Sequence, residues 1–293
     1  MLTIDTGGAK VAFQRTVRRI QLGNEFRRIR EERGLLPEDV AKALPNWSVY
    51  KISRAENAKG AVKVEHAAEL LDFLGVDDGQ KAGLLDIAKN APKQGWWLPY
   101  TGVVDEQTVD LASLESEASV IKTYQPFFIP GLFQTPDYAR AIFTELGGFS
   151  DEEAQRRVDV RMARQAVLTR PKPPEIWAVI HEAALSVKGG GPDVMRAQMD
   201  RLMQVARFPN VNIQIMPSGC ALNPAMNGAL TILGFPYDPP LDVALVVAQQ
   251  TEVWIEERQA VAEFHGTFQK ITAEALPLDN SLAFITEKRD KIK

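Results

Sequence analysis

Apolar residues recur at helical spacing through the first quarter of the chain and then give way to short β-branched runs. Leu22, Phe26 and Ile29 stand at i, i+4 and i+7, one face of a helix, while Arg27, Arg28 and Arg30 project elsewhere. Gly34 ends that helix in the usual C-terminal way. Pro37 in a first turn, with Glu38 and Asp39 at the positive end of the dipole, opens a second helix over 37–44, closed by Pro45. Ser48 is the N-cap of a third helix over 49–56, with Ile52 and Ala55 facing inward, and Asn57 is expected to take the left-handed conformation that stops it. Ala67, Leu70, Leu71 and Leu74 form the stripe of a fourth helix over 64–74, and a further helix begins at Asp77. Residues 1–14 show no periodicity and read as a mobile arm. Residues 15–90 therefore predict a mainly α bundle of about five helices.

The stretch from Pro92 to Pro99 is rich in turn residues, so 91–107 reads as a linker. Beyond it, over 108–293, the pattern predicts an α+β domain with a small mixed sheet. Helices are expected near 108–122, 137–146, 151–169, 192–207, 257–274 and 280–291. Strands are expected near 176–181, 211–216, 228–235 and 243–248, with a fifth near 252–255, each bounded by Pro, Gly or Asn.

The region 39–57 meets the requirements of a helix-turn-helix. That motif needs a small residue where its second and third helices cross, apolar residues holding the crossing, and long or polar side chains exposed at the start of the third helix. Ala41 is the candidate for close approach, and Val40, Leu44, Ile52 and Ala55 for the crossing. Charge supports the placement. Residues 13–74 carry 12 Lys+Arg against 9 Asp+Glu, whereas the rest of the chain holds 22 against 29, which hides a basic quarter inside a net charge of −4.

The string Ser53-Arg54-Ala55-Glu56-Asn57 resembles the close of the third helix in the Xre-type, phage-repressor-like helix-turn-helix. Here Ala55 is smaller than the usual residue, the glycine comes later, at Gly60, and Leu36 stands where that family places a polar cap. The resemblance implies that Val49, Tyr50 and Arg54 read base edges, with Ser48 and Lys51 nearer the phosphates. Arg54 would fork onto a guanine and Val49 would touch a thymine methyl. Of the basic first helix, Arg28 is the candidate for phosphate contact, although such runs are commonly solvated and paired with neighbours such as Glu31 and Glu32.

In the second domain, Ile129-Pro130-Gly131-Leu132-Phe133-Gln134-Thr135 precedes Tyr138-Ala139-Arg140-Ala141. Read physically it is a folding motif, in which Thr135 caps a helix, Pro136 fills its first turn and Asp137 favours its dipole. The string resembles the signature of an actinomycete family of regulators described as Scr-type antitoxin-like. Matching pieces are Arg161, Arg164 and Gln165, His181-Glu182 with Leu185, Gln198 with Leu202, the Val211 to Pro217 run, and Ser281-Leu282 with Ile285. The resemblance implies transcriptional control, frequently beside a gene for a small partner protein.

Composition narrows the classes. Hydrophobic residues at 45% and charged residues at 25% are ordinary globular usage. No run is long enough for a membrane span and the first residues lack a signal pattern, so the expected place is the cytoplasm. Cys220 is alone, and His66, His181 and His265 have no ligand spacing, so no disulfide, metal or cofactor is expected. The expectation is a non-enzymatic transcription regulator that binds double-stranded DNA, as a homodimer on a palindromic operator, with a small partner protein or small-molecule effector on the second domain. One alternative is an antitoxin-like interaction protein. Another is an enzyme using Glu182 with Arg161 and Arg164 in a cleft, and Trp96, Trp97 and Tyr100 are candidates to close a small-molecule pocket.

Overall fold

The computed structural model describes residues 16–90, 100, 102, 104–248 and 251–292. The arm expected over 1–14 lies outside the described residues, as do Trp96, Trp97 and most of the expected linker. The chain divides between Lys93 and Gln94 into two compact units.

The described residues of the first unit form five helices: α1 (Val17–Glu32), α2 (Pro37–Ala43), α3 (Val49–Glu56), α4 (Val64–Phe73) and α5 (Asp78–Asn90). The hydroxyl of Thr16 accepts from the Arg19 N–H and starts α1, and Gly34, at φ 67°, leads the chain out of it. Leu36 has no acceptor for the start of α2. The Asp39 carboxylate instead accepts from the Leu36 N–H at 2.9 Å, which is half of a capping box. Leu22, Phe26 and Ile29 are buried on the inner face of α1, which packs on α3, and Val40, Ile52 and Ala55 are buried with them.

Two features of this unit differ from expectation. The left-handed residue after α3 is Ala58, at φ 49°, and Asn57 stays at φ −100°. Asn57 is held there because its amide donates to the Ser53 carbonyl at 2.7 Å and its oxygen accepts from Arg27 at 2.9 Å. A close helix crossing that the sequence did not announce lies at Gly23, where an added Cβ would come within 2.6 Å of the Ala55 carbonyl oxygen, so α1 and α3 touch backbone to backbone. Ala41, the residue expected at a close approach, is only half-buried.

The second unit is α+β. It runs α6 (Glu106–Glu117), β1 (Val120–Gln125), α7 (Pro136–Ala141), α8 (Asp151–Arg164), β2 (Glu175–His181), α9 (Pro192–Val205), β3 (Val211–Met216), β4 (Ala229–Gly234), β5 (Val243–Ala248), β6 (Thr251–Ile255), α10 (Arg258–Glu274) and α11 (Leu278–Asp290), with short 3-10 and π turns between. The six strands form one mixed sheet in the order β3-β2-β1-β4-β5-β6, parallel from β3 to β1 and antiparallel from β1 to β6.

The helix expected over 108–122 is corrected by this topology. It ends at Glu117, and Val120 begins β1, where the parallel and antiparallel halves of the sheet meet. Alternation along β1 separates two faces. Tyr124 joins Val179, Ile232, Val261 and Phe268 in the core under α10. Ile121, Thr123 and Gln125 face the opposite way, toward α8 and the loop before α7.

Candidate functional site

In the first unit, α2, a short turn and α3 form the helix-turn-helix. Trp47 in the turn is buried, with its ring edge-on to His66 at 6.4 Å, and so roots the turn in the core. Ser48 is extended and its hydroxyl accepts from the Lys51 N–H at 3.2 Å, which starts α3 cleanly after it. The helix then turns Ile52 and Ala55 inward and leaves Val49 and Tyr50 outside, at 41% and 70% exposure.

The cations near α3 are positioned differently from one another. Arg54 lies along Tyr50, donating to the phenol oxygen at 3.1 Å with its guanidinium carbon 5.5 Å from the ring centre, and it also donates to the Lys59 carbonyl. Gly60 leaves room for this arrangement, since a Cβ there would stand 3.3 Å from the guanidinium. Lys51 folds back onto the turn, donating to the Asn46 carbonyl at 2.6 Å and reaching His66 Nδ1 at 3.1 Å. An ammonium can only donate, so in this contact Nδ1 of His66 is the acceptor.

On α1 the guanidiniums are engaged within the unit. Arg30 forks onto Glu56 at 2.7 and 2.9 Å, Arg27 reaches Asn57, and Arg33 donates to the Gly75 carbonyl at 2.9 Å. Arg28 sits between Glu25 at 3.0 Å and Glu32 at 2.5 Å. Its pKa is raised: burial opposes the rise, but the hydrogen bonds and charges of Glu25 and Glu32 outweigh it. Ser48, Val49, Tyr50 and Arg54 are therefore the exposed members of the expected set. Ser48, Lys51 and Arg28 carry structural bonds in this conformation.

In the second unit the motif loop is a hub. Thr135 caps α7, its hydroxyl accepting from the Tyr138 N–H at 3.2 Å. Gln134 is buried and donates to the Ile129 carbonyl at 2.7 Å. Arg161 donates to the Gln134 side-chain oxygen at 2.7 Å, and Gln165 donates to the Gln134 carbonyl at 2.7 Å. Gln198 donates to the Phe133 carbonyl at 2.9 Å and accepts from the Thr135 N–H at 2.7 Å. The scattered pieces of the resemblance at 161, 165 and 198 thus converge on one loop.

Arg161, Arg164 and Glu182 are not brought together. Arg164 forks onto the buried Glu115 at 2.9 and 2.8 Å. Glu182 pairs instead with Lys288 at 2.7 Å and accepts from the Ser218 N–H at 3.0 Å. The Lys288 hydrogen bond, then the Ser218 N–H, hold its carboxyl down at about 2, far below what a general acid near neutrality needs. Sequence reasoning missed Glu115 and Glu252, and named Gln134 only within the motif string. Arg161 and Arg164, three positions apart on α8 among apolar neighbours, were the available signal for a carboxylate partner such as Glu115.

The remaining candidates are absorbed into the fold. His181 accepts from the Ala183 N–H at 3.0 Å, and His265 lies 2.9 Å from Asp242 and 3.2 Å from Lys122. Cys220 is half-buried, with the Asn223 amide at 3.3 Å. Among the described residues, no cluster of His, Cys, Asp and Glu could hold a metal, and no helix is long and apolar enough to cross a membrane.

A model described as a helix-turn-helix domain matches residues 21–84, the span of all five helices but the ends of α1 and α5, and this supports DNA binding and transcription regulation. No curated protein and no solved structure matches the chain. The model of the domain of unknown function DUF5753 matches residues 108–287, from within α6 to within α11, and with more than half of its length so matched the chain belongs to the DUF5753 family.

Proposed function

We propose that the protein is a sequence-specific, Xre-type transcription regulator of the cytoplasm. It binds a palindromic operator as a homodimer, and its second domain receives a small ligand or partner protein that adjusts operator affinity. The observation that carries this reading is the outward first turn of α3, where Val49 and Tyr50 stand exposed beside Arg54 while Ser48 and Trp47 anchor the helix start. A helix entering the major groove reads bases with this part of its surface. Two copies are invoked because one α3 reaches too few base pairs, and a two-fold operator doubles the contact. No catalytic step is assigned to the second domain.

Operator selection followed by footprinting tests the proposal. The expected result is a protected two-fold sequence whose half-sites are about ten base pairs apart, with protection lost in a Tyr50→Ala, Arg54→Ala double variant that keeps its helical content. A protein that protects no sequence, yet binds tightly to the product of an adjacent gene, would be the antitoxin-like interaction protein instead. Turnover of any substrate that disappears in Glu182→Gln would put an enzyme in place of both.

A further inference from the structure

The second unit holds a half-open cavity of about 260 Å³ on the face of the sheet turned away from α10. Ile121, Leu245 and Val247 give it apolar walls, and Arg161, Arg164 and Glu252 bring charge to it. Its two strand hydroxyls satisfy each other, Thr123 and Thr231 lying 3.0 Å apart. Arg164 is satisfied as well, with its Nε and Nη2 forked onto the two oxygens of Glu115.

Arg161, one helical turn earlier on α8, has the same edge and no such partner. Its Nη1 donates to Gln134, its guanidinium carbon stands 4.6 Å from the Phe143 ring centre, and Gly131 lies so close that an added Cβ would be 3.6 Å from Nε. Nε is buried without a hydrogen bond, and no carboxylate among the described residues is within ion-pairing distance. Burial, then the neighbouring Arg164, lowers this guanidinium to about 10, so it remains a cation at neutral pH. A buried cation with an unmet donor is costly unless something pairs with it.

We propose that this cavity binds a small monocarboxylate with an apolar body, whose carboxylate pairs with the Arg161 guanidinium that the fold leaves without an acidic partner. An apolar cavity of about 150 Å³ admits benzene, so this one accommodates about ten non-hydrogen atoms. The apolar body lies against Ile121, Leu245 and Val247. Glu252 also lines the cavity, and burial and then Asp105 raise its pKa, which lessens its repulsion of an anion there. The site gives a chemical class to the ligand of the proposed regulator and rests on that reading only for its effect on DNA.

The test is calorimetric titration of the full chain with benzoate and hexanoate, against benzamide as the neutral analogue of benzoate. One saturable site is expected, with benzoate binding about tenfold or more tightly than benzamide, and with a shift of the Arg161 Nε–H resonance in the nitrogen-proton spectrum. Arg161→Gln should erase the preference for the charged form. Val247→Phe, which leaves Arg161 in place and fills the cavity, should abolish binding of both and keeps the test decisive if Arg161→Gln fails to fold. Absence of saturable binding by either carboxylate, equal binding of benzoate and benzamide, or unchanged binding by Val247→Phe overturns the site. Carboxylate binding that leaves operator affinity unchanged keeps the site and removes its sensing role, whereas failure to find any operator leaves the titration untouched.

Discussion

Single residues decide how closely the first unit's helices meet, and Gly23 is the most constrained of them. An alanine there would improve intrinsic helix propensity by about 1 kcal/mol. Its Cβ, however, would stand 2.6 and 2.8 Å from the Ala55 and Glu56 carbonyl oxygens, which are backbone and cannot rotate away. Overpacking of this kind costs about 1 to 3 kcal/mol, so denaturant titration of Gly23→Ala should give a net loss. An unchanged or raised midpoint would mean that α1 and α3 can separate freely. The buried fork of Arg30 and Glu56 sits beside this crossing. Glu56→Ala strands the guanidinium, and the expected loss is about 3 kcal/mol, the low end for a broken buried pair because Arg30 keeps its bond to the Leu35 carbonyl.

At the scale of elements, α11 closes the exposed edge of the sheet. Ser281, fully buried, accepts from the Ile215 N–H at 2.9 Å and donates to the Leu276 carbonyl at 3.1 Å, while the neighbouring Gln214 amide reaches Leu276 at 3.0 Å. Edge strands with open N–H groups invite pairing with other chains, and this edge is covered. Ser281→Ala leaves the buried Ile215 N–H unmet, at a cost of about 1 to 3 kcal/mol, readable as a lower thermal midpoint and faster exchange of that amide. The same helix is tied down by Lys288 on Glu182. Because the Glu182 carboxyl is depressed in the fold, its contribution is complete above the ordinary carboxylate pKa of about 4.3. It is lost as pH falls toward about 2. The pair is partly solvated, so the loss is less than about 1 kcal/mol, and Lys288→Met should flatten that part of the acid-stability curve. A curve identical to that of the unaltered protein would show that the pair adds nothing.

Elements also show where the sequence was readable. The strands at 211–216 and 243–248 stand at their expected bounds because β-branched runs between turn residues have no competing helical pattern. The strand β1 was hidden because only Ala118 and Ser119 separate it from α6, with neither Gly nor Pro to mark the break. Its Lys122, Thr123 and Gln125 also dilute the apolar run expected of a central strand. The helix-turn-helix was legible from capping and spacing alone, but the partners of its arginines were not. The Arg30–Glu56 and Arg164–Glu115 pairs join residues 26 and 49 positions apart, and only the tertiary fold brings them together. The orphaned edge of Arg161 is legible only in three dimensions for the same reason.

For the whole molecule, the separation of a basic first quarter from an acidic remainder sets how affinity responds to salt. Each phosphate neutralised on a duplex contributes about −0.9 to the slope of log affinity against log salt. Arg54 and Arg28 then make distinguishable predictions from the same titration. Arg54 lies on the outward side of α3, loosely held by Tyr50 and the Lys59 carbonyl. Its replacement by alanine should remove about 1 to 3 kcal/mol of discrimination at one base pair in each half-site, with affinity for unrelated sequence changed far less. Arg28 is held by two carboxylates that it would have to leave to reach a phosphate. Arg28→Ala should therefore leave the salt slope unchanged. A slope shallower by about 0.9 per subunit would show that DNA draws Arg28 away from Glu25 and Glu32, and would move the edge of the interface from α3 onto α1.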